Sequence, residues 1–173
     1  MAKKKAEEIE KDEQVSELSK FLIKEYGAGV IVGADFLLEE KKVVIPVSPA
    51  VDIGLSGGVP EGSWVIMSGP QSCGKTTTAL MLAANAQQKE YGNRDIFYID
   101  AEGRLKEMNL KSIKPLDISK GRFNVVHSTE ERIYTAEELL TIATHILKSH
   151  PKCVLIIDSA SALCGSKELT EAI

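Results

Sequence analysis

"GPQSCGKTTTAL", Gly69 to Leu80, sets two glycines, a lysine and a run of hydroxyls between an apolar β-prone stretch and a helical pattern. Gly69, Gly74, Lys75 and Thr76 occupy every required position of GxxxxGK[ST], the phosphate-binding loop. The residue types follow from the task. Glycines let backbone N–H groups turn inward, and the start of the following helix adds its own unpaired donors and partial positive charge. A triphosphate suits such a nest. Lys75 would meet the β- and γ-phosphates as a point charge, Thr76 would complete the shell of a bridging Mg²⁺, and Thr77 would add a hydroxyl toward the α-phosphate. Pro70, Gln71, Ser72 and Cys73 fill out the loop, Cys73 as a small residue that fits its place. A turn that only caps a helix has no use for the lysine.

Outward from the loop, strand and helix patterns alternate. "WVIMS" (Trp64 to Ser68) reads as a buried strand, and Lys75 to about Tyr91 as a helix carrying Leu80, Leu82, Ala83 and Ala86, stopped by Gly92. Strand patterns follow at Ile96 to Asp100, Phe123 to Val126 and Cys153 to Asp158, with a helix from about Thr135 to Ser149 before the last. Strands separated by helices need crossover connections, so the fold class is α/β, a mostly parallel sheet flanked by helices. Upstream, Met1 to about Gln14 alternates Lys and Glu as a solvated end. Val15, Leu18, Leu22 and Tyr26 then line one helix face, "GAG" ends it, and "VIV" at Val30 and "VVIPV" at Val43 are β-prone, with Pro46 marking an edge or a strand end. Residues 54–63 carry loop chemistry. The expected division is 1–45, a small helix and strand segment, and 46–173, a nucleotide-binding core.

Two carboxylates extend the loop's chemistry. "VLIID" ends an apolar strand in Asp158, where a carboxylate at the carboxyl end of a parallel strand would support Mg²⁺ through water. Glu102, in "YIDAEG", falls just past another strand end on the same rim and is the candidate general base for an attacking water. Asp100 competes for that role; its shorter side chain suits fixing the turn.

Composition narrows the rest. Twenty-one basic against 25 acidic residues give a net charge of -4, so no overall positive field advertises nucleic acid or an anionic membrane. No apolar run reaches the roughly 18 residues of a membrane span, and the basic start lacks a signal peptide's apolar core, which together give a cytoplasmic expectation. Cys73, Cys153 and Cys164 show no CxxC spacing, and His127, His145 and His150 no metal-ligand spacing.

In order and spacing, "VDIGLSGGVPEGSWVIMSGPQSCGKTTTAL", "FYIDAEG" and "VLIIDSASAL" resemble the ATPase core of RecA-type recombinases, the UvsX-like phage versions included. "FLIKEYGAGVIV" resembles the family's amino-terminal helix and strand, which docks on a neighbouring subunit. The resemblance implies a P-loop NTPase of the RecA type. Its activity would be ATP-dependent: assembly into helical filaments on single-stranded DNA, followed by strand exchange. It assigns phosphate and Mg²⁺ binding to Lys75 and Thr76, water activation to Glu102 and metal support to Asp158. Many members sandwich the adenine between an acidic and an aromatic residue; this chain has Lys106 and Asn109 there, which leaves base preference open. Ile173 follows Asp158 by only 15 residues, whereas the family continues with further strands and DNA-contacting loops. "GSKELTEAI", with Ser166 as its N-cap, reads as a helix cut short, so the expectation is an amino-terminal fragment, poorly active alone. The rivals are another RecA-fold ATPase, such as a helicase or regulator, and a P-loop small-molecule kinase.

Overall fold

A computed structural model describes residues 17–27, 30–31, 42–129 and 131–167 of the chain, which divides into two units, Met1–Lys41 and Lys42–Ile173. In the first unit, residues 17–26 form helix α1, closed by a bond from the Gly27 N–H to the Ile23 carbonyl at 2.9 Å. Val15 and Val32 lie outside the described residues, and Val30 and Ile31 form a bend rather than the β-prone run read there.

The second unit opens with a two-stranded ribbon, β1 (Val44–Ile45) antiparallel to β2 (Val59–Pro60), with helix α2 (Pro49–Gly54) between them. Pro49 suits the first turn of α2, where its missing N–H costs nothing. Asp52 Oδ1 accepts the Val47 N–H at 2.7 Å and ties the helix to the strand before it. Residues 54–63 are therefore loop only in part. Gly58 explains the close pairing: its φ is +135°, and a Cβ there would stand 2.3 Å from the Ile45 carbonyl oxygen.

Helix α3 (Lys75–Ala86) starts at the phosphate-type loop and ends five residues before the expected stop, in a short 3₁₀ turn, Lys89–Tyr91. Gln87 explains the early end. Its amide donates to the Asp117 and Arg122 carbonyls at 2.8 and 3.2 Å and accepts the Asp117 N–H at 2.8 Å, which fastens the helix end to residues 117–122. Then come β3 (Ile96–Asp100), α4 (Glu107–Ser112), β4 (Phe123–His127), α5 (Ala136–Ser149), β5 (Val154–Asp158) and a 3₁₀ turn, Ala160–Ala162. Thr135 and Glu138 form a reciprocal capping box at the start of α5, with bonds of 3.2 and 3.0 Å, so Thr135 is the cap and not the first helical residue.

Strands β4, β3 and β5 make a parallel sheet in that order, with Asp100 beside both His127 and Asp158. All three carboxyl ends consequently share one rim. Alternation along β3 sends Ile96 and Tyr98 into one core with Leu80, Ala83 and Phe123, and Ile99 into a second core with Leu139 and Ala143. A helix thus covers each face, α3 on one side and α5 on the other. This is the expected α/β arrangement.

One element differs. Trp64 to Ser68 has the composition of a strand but pairs with none of the described strands, and Trp64 and Ile66 stand 90% and 89% exposed. A β-prone run records a preference for a pleated, half-buried setting; it does not supply the partner that makes the ladder. Strand β5 is only half-buried along its whole length. The helix read from Gly165 onward lies, past Lys167, outside the described residues.

Candidate functional site

The loop from Gly69 to Gly74 runs directly into α3 on the carboxyl-end rim of the sheet. Gly74 caps the helix with φ +94°, a conformation that glycine adopts without strain. Its carbonyl accepts the Thr78 N–H at 2.9 Å and the Thr78 hydroxyl at 3.0 Å. At Gly69 a Cβ would come within 2.9 Å of Cys73 Sγ, so the two ends of the loop close on each other. Pro70, Gln71, Ser72, Cys73 and Thr77 are exposed. Lys75 folds back over the loop, its Nζ donating to the Gly69 and Pro70 carbonyls at 3.0 and 2.9 Å.

Sequence-distant residues meet here. The Thr76 hydroxyl donates to Asp158 Oδ2 at 2.7 Å across a separation of 82 residues, so the two expected metal donors stand together. One step on, Ala101 and Glu102 donate their backbone N–H groups to the Asp158 carbonyl at 2.9 and 3.3 Å. Glu102 Oε1 accepts the Ser159 hydroxyl at 2.5 Å, and Arg104 Nη1 lies 3.2 Å from Oε2. Arg104 is 70% exposed, and such an ion pair holds only weakly against water. Asp100 accepts the Arg104 and Leu105 N–H groups at 3.1 and 2.9 Å, the turn-fixing role anticipated for it. Asn109 Oδ1 accepts the Lys106 N–H at 3.0 Å and so is occupied at the start of α4.

Tyr98 belongs to this group too. It is 1% exposed, and its hydroxyl donates to Asp158 Oδ2 at 2.6 Å. Burial first, then the bond to Asp158, hold its phenol above the ordinary range, so it stays protonated as a donor. Sequence reading passed over Tyr98, Ser159 and Arg104. The first had a signal: a tyrosine on a buried strand needs a partner for its hydroxyl, and alternation points Tyr98 to the α3 side.

Residues 14–173 match the RecA N-terminal domain. The chain belongs to this family. It is 35% identical to Protein RecA of Geobacter sulfurreducens over 152 residues, 84% of this chain and 41% of that protein. With Protein RecA of Acholeplasma laidlawii it shares 37% identity over 166 residues, 92% of this chain and 46% of the relative. Protein RecA of Mycobacterium avium is 34% identical over 148 residues, 84% and 39% of the two chains. The chain spans less than half the length of each of these relatives.

Proposed function

We propose that this chain is the nucleotide-binding part of a RecA-type recombinase, a protein that binds ATP with Mg²⁺, assembles into filaments on single-stranded DNA and promotes recombination and repair. The observation that carries the reading is the 2.7 Å bond from Thr76 to Asp158, because it unites the phosphate-loop hydroxyl with a strand-end carboxylate. Family membership supports the rest. A cytoplasmic setting goes with it; among the described residues no helix is long and apolar enough to cross a membrane.

The donor set fits the group it would hold. A threonine hydroxyl and an aspartate are hard oxygen donors, suited to Mg²⁺ when phosphates and waters complete the shell. When bound, Mg²⁺ supplies neutralisation of the charge on the phosphate oxygens. Gly69 to Thr77 cradle the phosphates with backbone N–H groups. Lys75 leaves the two loop carbonyls for the anion, since a charge-assisted bond to phosphate is stronger than one to a neutral carbonyl. Asp158 would support the metal through water, and it orients Thr76. Glu102 accepts the proton of the attacking water, with Ser159 fixing one of its oxygens.

The test is DNA-dependent ATP hydrolysis by the full reading frame that carries this chain, together with electron microscopy of filaments, with Lys75→Ala as control. Turnover and filaments that require single-stranded DNA and Lys75 are expected. Phosphoryl transfer to a small acceptor without DNA would favour the kinase instead.

A further inference from the structure

Asp158 is held by more than the phosphate loop. Its Oδ2 accepts two hydrogen bonds, from Thr76 at 2.7 Å and from Tyr98 at 2.6 Å, and among the described residues nothing is bonded to Oδ1. Packing alone does not call for the second donor. A phenylalanine at 98 would fill the same core and keep the 6.0 Å stack on Phe123. The hydroxyl is desolvated there, and Asp158 is what compensates it. With Oδ2 fixed from two sides, the carboxylate cannot turn about its own axis without breaking a short bond. Oδ1 is then the oxygen that remains for a cation's water shell. The Thr76 hydroxyl depends on the same arrangement, because its proton is committed to Oδ2 and its lone pairs are left for a metal.

We propose that Tyr98 is a positioning residue: through Asp158 it presets both the carboxylate and the Thr76 hydroxyl for a divalent cation bound with nucleotide. The proposal rests on the nucleotide-binding reading of the loop and adds a residue of β3 to the metal's outer support. Tyr98 touches neither nucleotide nor metal in this scheme, and its effect is felt in the cation requirement.

The experiment titrates Mg²⁺ into the 173-residue chain in the presence of a fluorescent ATP analogue, for wild type, Tyr98→Phe, Asp158→Asn and the double variant. Tyr98→Phe should raise the Mg²⁺ midpoint about tenfold, as loss of an outer-shell partner does, with nucleotide affinity in excess chelator unchanged. In the Asp158→Asn background the same change should add little. An unmoved midpoint in Tyr98→Phe, with or without a lowered unfolding temperature, overturns the proposal and leaves the nucleotide reading standing. A shift of equal size in both backgrounds also overturns it, since Tyr98 would then not act through Asp158. If wild type takes up no nucleotide at any Mg²⁺ level, the underlying reading fails first. Should Tyr98→Phe not fold by circular dichroism, 3-fluorotyrosine at position 98, a near-isosteric and more acidic donor, replaces it. A moved midpoint then supports the proposal and an unmoved one overturns it.

Discussion

Under the proposed function the ammonium of Lys75 would have two rival claims on it, the loop's own carbonyls and an incoming anion. Its bonds to Gly69 and Pro70 hold the loop closed, and they involve neutral acceptors that a phosphate would outcompete. Glu102 is likewise engaged, by Ser159 and Arg104, and both contacts leave it at the solvent edge where a water can reach it. Glu102→Gln should therefore bind ATP as wild type does while hydrolysis falls about 10²- to 10⁴-fold, the usual weight of a general base. Retained turnover in that variant would move the role elsewhere. At this scale the placement of the loop before a helix and of the two carboxylates on one rim was legible, since GxxxxGK[ST] and strand-end acids are local patterns. The bond from Tyr98 was not, because Tyr98 and Asp158 lie 60 residues apart and meet only once β3 and β5 are in register.

Elements were read well where periodicity and caps agree. Helix α5 shows both signals: a threonine at its cap, a glutamate three residues on, and Leu139 and Ala143 facing the second core. Thr135→Ala should lower stability by about 1 kcal/mol in urea unfolding, with no change in nucleotide affinity. Arg94 secures the far end of the sheet. It is 7% exposed, donates to the Tyr91 and Lys152 carbonyls at 2.9 and 3.3 Å, and bonds Glu61 at 2.6 Å. The Arg94 guanidinium, then the Val43 N–H, holds the Glu61 carboxyl below its ordinary value of 4.5. A carboxyl whose folded value is depressed stabilises above that ordinary value, and its contribution is lost as pH falls through the lower one. Glu61→Gln should accordingly flatten the acid side of the stability curve, read by denaturation between neutral and strongly acidic pH; an unchanged slope would mean that the pair does not contribute. Trp64 to Ser68 shows the limit of this kind of reading. Its composition is right for a strand, but pairing is a non-local fact that a window of five residues does not contain.

At the scale of the molecule, a doubly covered parallel sheet gathers its candidate site on one rim, where Thr76, Glu102 and Asp158 come from a helix start and two strand ends far apart in sequence. Crossover connections make that convergence a product of topology, which is why the α/β class could be inferred before any site geometry. The single tryptophan reports on the same architecture from outside the ladder. Trp64, 90% exposed, should be quenched by acrylamide nearly as readily as free tryptophan, and strong protection would place residues 64–68 in a packed strand. The central claim, that this loop grips a magnesium nucleotide, is met most directly by calorimetry of ATP binding to wild type and Lys75→Ala, with and without Mg²⁺. Wild type should bind in a Mg²⁺-dependent manner, and Lys75→Ala should lose at least about 1.4 kcal/mol, a tenfold weakening. Equal binding by the two proteins, or no uptake by wild type, would contradict the account.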